Sequence, residues 1–283
     1  MTRIQVSQVT CGVCGSQSKQ ATLLSSNTIG PPDLDGRPFR YSMLRDTMSR
    51  WVQRCPECGY CAMYISRDHE YDLPVAPLAG HEGIWAAPDS PADALPTEGA
   101  DARRQFVVSI VRAERYRAQL QDRRFAQLAN SFLCQCLIDE AEGRFVDATL
   151  AAVHAAWVCD DDKKAELAAS CRRMAARLIR DAPRGSQSFG IRLRSGPALL
   201  VDVLRRSGDF EGAETECRQG LAEATDGFLR NLLGFQLDLI KRGDLGAHSL
   251  LEAIGSSPEA WGVTGPGKDD APKQKRSWGF WRR

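Results

Sequence analysis

Apolar and polar positions change rhythm twice along this chain. Near the N-terminus Ile4, Val6 and Val9 stand among polar residues in near alternation, which predicts a short strand over 4–9, with 21–24 as its return strand. Gly30-Pro31-Pro32-Asp33-Leu34-Asp35-Gly36-Arg37-Pro38 must be a loop, because proline fixes φ and lacks an N–H while glycine permits positive φ. Residues 43–50 have the pattern of one or two helical turns, and 51–54 read as a strand.

From residue 102 the rhythm becomes helical, with Ala, Leu, Arg, Glu and Gln dominating. The pattern predicts helices over 102–120, 123–141, 144–158 and 162–181, a break at Pro183 and Gly185, and further helices over 196–207, 210–224, 227–242 and 244–254. A turn recurs between them: Glu142-Gly143-Arg144-Phe145, Ser207-Gly208-Asp209-Phe210 and Arg242-Gly243-Asp244-Leu245. Small residues follow on one face, Ala152 and Ala155 in one case and Ala213, Cys217 and Gly220 in another. Gly208 and Gly243 are about 35 residues apart, the length of one helix-pair repeat, and Gly143 lies close to two such units before Gly208. This resembles the tetratricopeptide repeat, although the Trp, Leu-Gly and Tyr signals of its first helix are mostly missing. The resemblance implies stacked helix pairs, since no pair buries its apolar face alone; an unrelated α-bundle is the competing architecture.

Between the two rhythms, 72–101 carries Pro74, Pro77, Pro88, Pro91 and Pro96 among Ala, Gly and acids, and reads as a linker in which Ile84-Trp85 is an apolar island that docks back on a folded part. Residues 256–283 are rich in Gly, Pro, Ser and charge and read as a disordered tail. The expected organisation is therefore α+β: a small metal-binding module over 1–71, the linker 72–101, a mostly α-helical repeat domain over 102–255 and the tail. The net charge of +1 carries no global signal for nucleic acid or membrane. With no apolar leader and no membrane-length apolar run, the expected compartment is the cytoplasm.

The cysteines alter this picture most. Ten of them in a chain expected to be cytoplasmic read as thiols or metal ligands rather than disulfides. Cys11-Gly12-Val13-Cys14-Gly15 and Cys55-Pro56-Glu57-Cys58-Gly59 form two CxxCG knuckles. Each presents two thiolates on one side of a tight turn, and the following glycine can take positive φ so that backbone N–H groups point at sulfur. Together Cys11, Cys14, Cys55 and Cys58 make a four-thiolate set suited to one structural Zn²⁺; iron, as in rubredoxin-type sites, is not excluded by the spacing. The interval between the knuckles is longer than the usual 15–20 residues of a zinc ribbon. A dithiol redox role for Cys55 and Cys58 lacks the expected strand–helix frame.

Other candidates are weaker. Cys61 reads as a small hydrophobe under Tyr60 and Tyr64, or, with His69 and His81, as part of an incomplete second site. Cys134, Cys136, Cys159, Cys171 and Cys217 fall in predicted helices and read as core, and His154 and His248 as packed or surface residues. Asp160-Asp161-Asp162 reads as an N-cap and first-turn charge for the next helix. Gly262–Lys268 approaches a P-loop, but Asp269 stands where Ser or Thr is required. The closing run from Lys273 to Arg283, with Trp278, Phe280 and Trp281 among cations, reads first as a solvated tail, then as a peptide for a partner groove, then as a membrane-surface contact, with nucleic acid the weakest reading.

Beyond the pattern itself, three segments carry a resemblance: the first knuckle, the loop Pro32-Asp33-Leu34-Asp35-Gly36-Arg37-Pro38, and Met48-Ser49-Arg50-Trp51-Val52-Gln53-Arg54-Cys55-Pro56-Glu57-Cys58-Gly59-Tyr60. They resemble the uncharacterised bacterial family catalogued as domain of unknown function two-two-two-five, in which a zinc-ribbon-like N-terminus precedes a tetratricopeptide-like helical region. The resemblance implies metal ligation by the four cysteines and no activity. It leaves the Asp33/Asp35/Arg37 loop as either a recognition surface or a self-satisfied polar turn. The sequence expectation is a non-enzymatic, zinc-stabilised protein-interaction protein with its partner on the helical repeats; the alternative is a rubredoxin-like or thiol redox protein.

Overall fold

A computed structural model describes residues 2–27, 29–66, 97–183, 196–225 and 227–255. The predicted Ile84-Trp85 island, the His69/His81 pair, the P-loop-like stretch and the basic aromatic tail lie outside these residues. The described residues are mostly helical with a small β part at the N-terminus.

Strands β1 (Arg3–Thr10) and β2 (Gln17–Ser25) form an antiparallel hairpin with Val6 opposite Ala21 and Val9 opposite Ser18, and the first knuckle is its turn. A single helical turn α1 (Met43–Asp46) follows, capped by the Ser42 side chain accepting from the Leu44 N–H, and then a 3₁₀ turn at Met48–Arg50. Strands β3 (Gln53–Arg54) and β4 (Cys61–Ala62) form a second, two-residue hairpin around the second knuckle. An antiparallel bridge between Cys11 and Ser66 joins the two hairpins.

The helices are α2 (Thr97–Arg112), α3 (Glu114–Gln121), α4 (Gln127–Ala141), α5 (Phe145–Asp161), α6 (Ala165–Asp181), α7 (Gly196–Arg206), α8 (Phe210–Glu223), α9 (Gly227–Lys241) and α10 (Leu250–Ile254). From α4 to α10 each helix packs on the next in sequence. The tightest seams run along α5, where Ala148, Ala151, Ala152, Ala155 and Ala156 are buried and let α4 and α6 approach closely. Gly220 serves the α8–α9 contact: a Cβ there would meet Leu233 Cδ1 at 2.9 Å.

The recurring glycine turns have one geometry. Gly143, Gly208 and Gly243 all have positive φ, and each is followed by an N–H that reaches back five residues, Arg144 to the Asp139 carbonyl, Asp209 to Leu204 and Asp244 to Leu239. This is the Schellman closure, which satisfies the orphan carbonyls at a helix end. Lys163 makes the same closure between α5 and α6 with φ 58°, Lys164 N–H reaching the Cys159 carbonyl.

Four sequence expectations shift. The stretch read as one helix over 102–120 is two, broken at Ala113, and α2 begins at Thr97, inside the range assigned to the linker. Helix 244–254 shrinks to Leu250–Ile254, opened by a Ser249/Glu252 capping box. Asp160 and Asp161 end α5 and Asp162 caps its C-terminus, while Lys164 precedes α6. The helix dipole disfavours acids at that end, and arginines answer them. Finally, the loop around Asp35 does close partly on itself, Asp33 N–H donating to the Arg37 carbonyl, Gly36 N–H to the Asp33 carbonyl and Arg37 N–H to Asp35 Oδ1, but Leu34, Asp35, Gly36, Arg37 and Pro38 are buried against the helices and present no exposed recognition surface.

Candidate metal centre

Each knuckle is built by a hairpin that closes on itself. In the first, Cys11 N–H donates to the Ser16 carbonyl and Gly15 N–H to the Cys11 carbonyl; in the second, Cys55 N–H donates to the Tyr60 carbonyl and Gly59 N–H to the Cys55 carbonyl. Gly15 and Gly59 take φ of 76° and 75°, the left-handed conformation expected of them. The backbone N–H groups of Val13 and Cys14 then face Cys11 sulfur, that of Ser16 faces Cys14 and that of Tyr60 faces Cys58.

The four sulfurs converge, all within 4.8 Å of one another. Cys11 Sγ lies 3.8 Å from Cys58 Sγ and Cys14 Sγ 3.6 Å from Cys55 Sγ. A tetrahedron of thiolates about 2.3 Å from a central ion has an edge of about 3.8 Å, so the sulfur spacing fits one tetrahedral ion. The Ser16 hydroxyl sits 3.0 Å from Cys14 Sγ and 3.2 Å from Cys55 Sγ, placed to donate to a thiolate.

Electrostatics favour thiolate at Cys11 and Cys14. The hydrogen bond with Cys58 draws the Cys11 thiol down to about 5, against the opposing effect of burial and with help from the Cys14 and Val13 N–H groups. Cys58 moves upward in return, because it holds the shared proton and is partly buried. Burial acts to raise Cys14, but the Ser16 hydroxyl and N–H outweigh it and the thiol is lowered. Cys11 and Cys55 are buried, Cys58 is half-buried and Cys14 is exposed, so the cluster meets solvent on the first-knuckle side.

Helices clasp both knuckles. Tyr116 Oη of α3 donates to the Gly59 carbonyl at 2.9 Å and accepts from Cys61 N–H at 3.1 Å. Arg104 of α2 donates to the Val13 carbonyl at 3.4 Å. Cys61, outside the ligand cluster, donates its thiol to the Gly59 carbonyl and lies beside Cys134 of α4, rather than resting under Tyr60 and Tyr64 alone. Cys134, Cys136, Cys159, Cys171 and Cys217 are buried in the helical core, as their positions predicted, and His154 is enclosed by Trp51, Phe132 and Trp157.

Sequence reasoning missed the second centre of charge, where the 30–38 loop meets the helices. Asp35 accepts from Trp157 Nε1 at 2.9 Å and from Arg206 at 2.5 Å. Arg37 reaches the Trp157 carbonyl at 3.1 Å and Asp161 at 2.7 Å; Arg206 and Arg172 pair with Asp160, and Arg45 with Asp161. Burial opposes ionisation of Asp35, but Arg206, Arg172 and the Trp157 N–H prevail and its carboxyl is lowered. The loop also pairs with the segment ahead of α10: Leu34 N–H donates to the His248 carbonyl and Leu250 N–H to the Pro32 carbonyl. The only available signal was alternation of acid and base in Asp33-Leu34-Asp35-Gly36-Arg37, which names no partner.

Compared with family models, curated proteins and solved structures, the chain matches none. Among the described residues no helix is long and apolar enough to cross a membrane.

Proposed function

We propose that Cys11, Cys14, Cys55 and Cys58 hold one structural Zn²⁺ that staples the N-terminal module to the helices, and that the protein works without catalysis, as a scaffold or adaptor. The observation that carries this reading is the cluster of four sulfurs, all within 4.8 Å of one another, placed where both knuckles are gripped by α2 and α3. A module of two short hairpins has too small a core to fold alone, and metal binding supplies that stability. The resemblance to a zinc-ribbon family points the same way. The helical array carries the partner in this reading, through repeat-like stacking; its contact with residues 32–37 is already in use within the chain, so the partner is a protein bound elsewhere on the helices.

The sulfur spacing suits iron as well as zinc, so the metal is the discriminating measurement. Protein expressed without added metal is analysed by elemental mass spectrometry and absorption. One zinc per chain, with no visible charge-transfer band and no fast-titrating thiol at Cys55 or Cys58, is the expected result. Iron with thiolate-to-iron bands overturns the structural-zinc reading in favour of a rubredoxin-like one, and a rapidly titrating dithiol in favour of redox chemistry. Affinity capture with full-length protein and with a variant lacking residues 256–283 tests the partner assignment; loss of every captured protein in the truncated form would move the partner from the helices to the tail.

A further inference from the structure

Strand β1 pairs along one edge with β2, and along its other edge with no strand among the described residues. In an antiparallel ladder, successive residues turn their N–H and C=O groups to opposite sides. Cys11 N–H donates to the Ser16 carbonyl, on the β2 side. By alternation Val9, Ser7 and Gln5 face β2, while Thr10, Gln8, Val6 and Ile4 aim their backbone groups at the outer edge. The side chains of this hairpin are also turned inside out. Val9 is buried, Gln20 Nε2 donates to the Arg54 carbonyl at 3.1 Å and Gln53 Nε2 to Thr22 Oγ1 at 3.2 Å, so the mostly polar face looks inward. The outward face carries Ile4 and Val6, 47% and 64% exposed, opposite Leu23 and Ala21.

One contact names the occupant of that edge. Just past β1, Gly12 N–H donates to the Ile65 carbonyl at 2.8 Å, and Cys11 and Ser66 form an antiparallel bridge. Such a bridge sets a register. Continued past Ser66, this one pairs Thr10 with Arg67, Gln8 with His69, Val6 with Tyr71 and Ile4 with Leu73. Those are the four β1 residues whose N–H and C=O groups point outward. We propose that residues 67–73, which lie outside the described residues, dock on the outer edge of β1 as a third antiparallel strand of the metal module.

The residue types of 67–73 suit that register. Tyr71 and Leu73 join Val6 and Ile4 on the outward apolar face, while Asp68, Glu70 and Asp72 fall on the face of Val9, Ser7 and Gln5. A slip of one residue would exchange the two sets. Pro74 comes opposite Arg3, where the N–H of a third strand points away from β1, so its missing donor removes no ladder bond. Charge agrees. Residues 1–32 contain Arg3 and Lys19 and no acid, and the register makes Asp72 a diagonal neighbour of Arg3. The cationic run 273–283 meets like charge at the same hairpin. An acid-bearing third strand also closes an edge that would otherwise template pairing with another chain.

The test is residue-resolved amide exchange and NOE measurement by NMR on the full-length, metal-loaded protein. Docking predicts slow exchange at the Val6, Gln8, Tyr71 and Leu73 amides, with close Hα–Hα contacts for Val9–Asp68, Ser7–Glu70 and Gln5–Asp72, the pairs between ladder bonds. Two proline variants read the register. Tyr71→Pro removes a donor aimed at Val6 and should speed exchange at the Val6 amide by about tenfold or more, with metal content and exchange in α5 unchanged. Asp72→Pro, whose N–H points away from β1, should leave Val6 protected. Protection of Val6 that survives Tyr71→Pro, or is lost equally in both variants, overturns the proposal. So does fast exchange at Val6 and Gln8 in the wild type. Protection that fades on dilution assigns the edge to a second copy, and NOEs to a different segment assign it to that segment; either result overturns docking by 67–73.

Discussion

Gly59 meets two demands at once, and Gly15 only one of them. Both stand at positive φ behind a knuckle, but a Cβ on Gly59 would come within 2.3 Å of Leu120 Cδ2, whereas nothing lies within 4 Å of one on Gly15. Alanine at Gly15 should therefore cost only the backbone term, about 1 kcal/mol. Alanine at Gly59 adds a steric clash with α3 and should cost about 2–4 kcal/mol, read by denaturant unfolding of the metal-loaded protein. Tyr116→Phe separates clasp from turn. It leaves the Gly59 carbonyl without its hydroxyl donor and Cys61 N–H without its acceptor, so a loss of about 1–3 kcal/mol is expected with the four sulfurs untouched and metal stoichiometry unchanged. Equal costs for the two glycine variants would show that Leu120 gives way and that α3 does not press on the knuckle.

Helix α5 shows where the sequence could be read and where it could not. Its alanine face and the glycine turn before it were legible, because both rest on local rules: small residues at helical spacing, and glycine where φ is positive. Its C-terminus was not. Asp160-Asp161-Asp162 has the composition of a helix start, and the turn that ends α5 uses Lys163 in place of glycine, so the local signal pointed to the wrong helix. Four arginines from distant positions, Arg37, Arg45, Arg172 and Arg206, make acids tolerable at that end, and no local pattern announces them. Lys163→Gly should stabilise the protein by about 0.5–1 kcal/mol in thermal or denaturant unfolding, since glycine removes the left-handed strain at some entropic cost. Arg206→Ala should be strongly destabilising, by about 3–5 kcal/mol, because it strands the buried carboxylate of Asp35. Adding Asp35→Ala should recover part of that loss; a double-mutant cycle with no coupling would mean the pair is not energetically linked. The lowered Asp35 carboxyl supports stability above its ordinary 3.8, and that support is lost as pH falls through the depressed value, so the acid limb of unfolding should move to higher pH in Arg206→Ala.

At the scale of the whole molecule, the two knuckles were legible as one site because their chemistry is written in adjacent residues. How that site joins the helices was not, since Tyr116, Arg104 and Trp157 are ordinary helix residues until the fold brings them to Gly59, Val13 and Asp35. Those junctions are of two kinds, and metal removal should tell them apart. The knuckles contact α2 and α3 through the Val13 and Gly59 carbonyls, so chelation should release these helices from the module along with the β1–β2 hairpin. Schellman-closed turns join α4 to α5, α5 to α6 and α7 to α8, and from α4 to α9 each helix packs on the next through buried alanines and leucines. They should keep their structure without metal. Adding a strong chelator to the loaded protein should therefore leave most of the helical circular-dichroism signal, while hydrogen exchange in residues 3–25, 53–62 and 114–121 rises by about tenfold or more and exchange in α5 and α6 stays slow. The ionic contacts of Asp35 and Arg37 decide whether the 30–38 loop follows the knuckles or stays with the helices. Because those contacts are to α5 and α7 and not to the centre, the loop should stay protected in metal-free protein. Uniform loss of protection across all helices on chelation would instead make the metal the keystone of the entire fold.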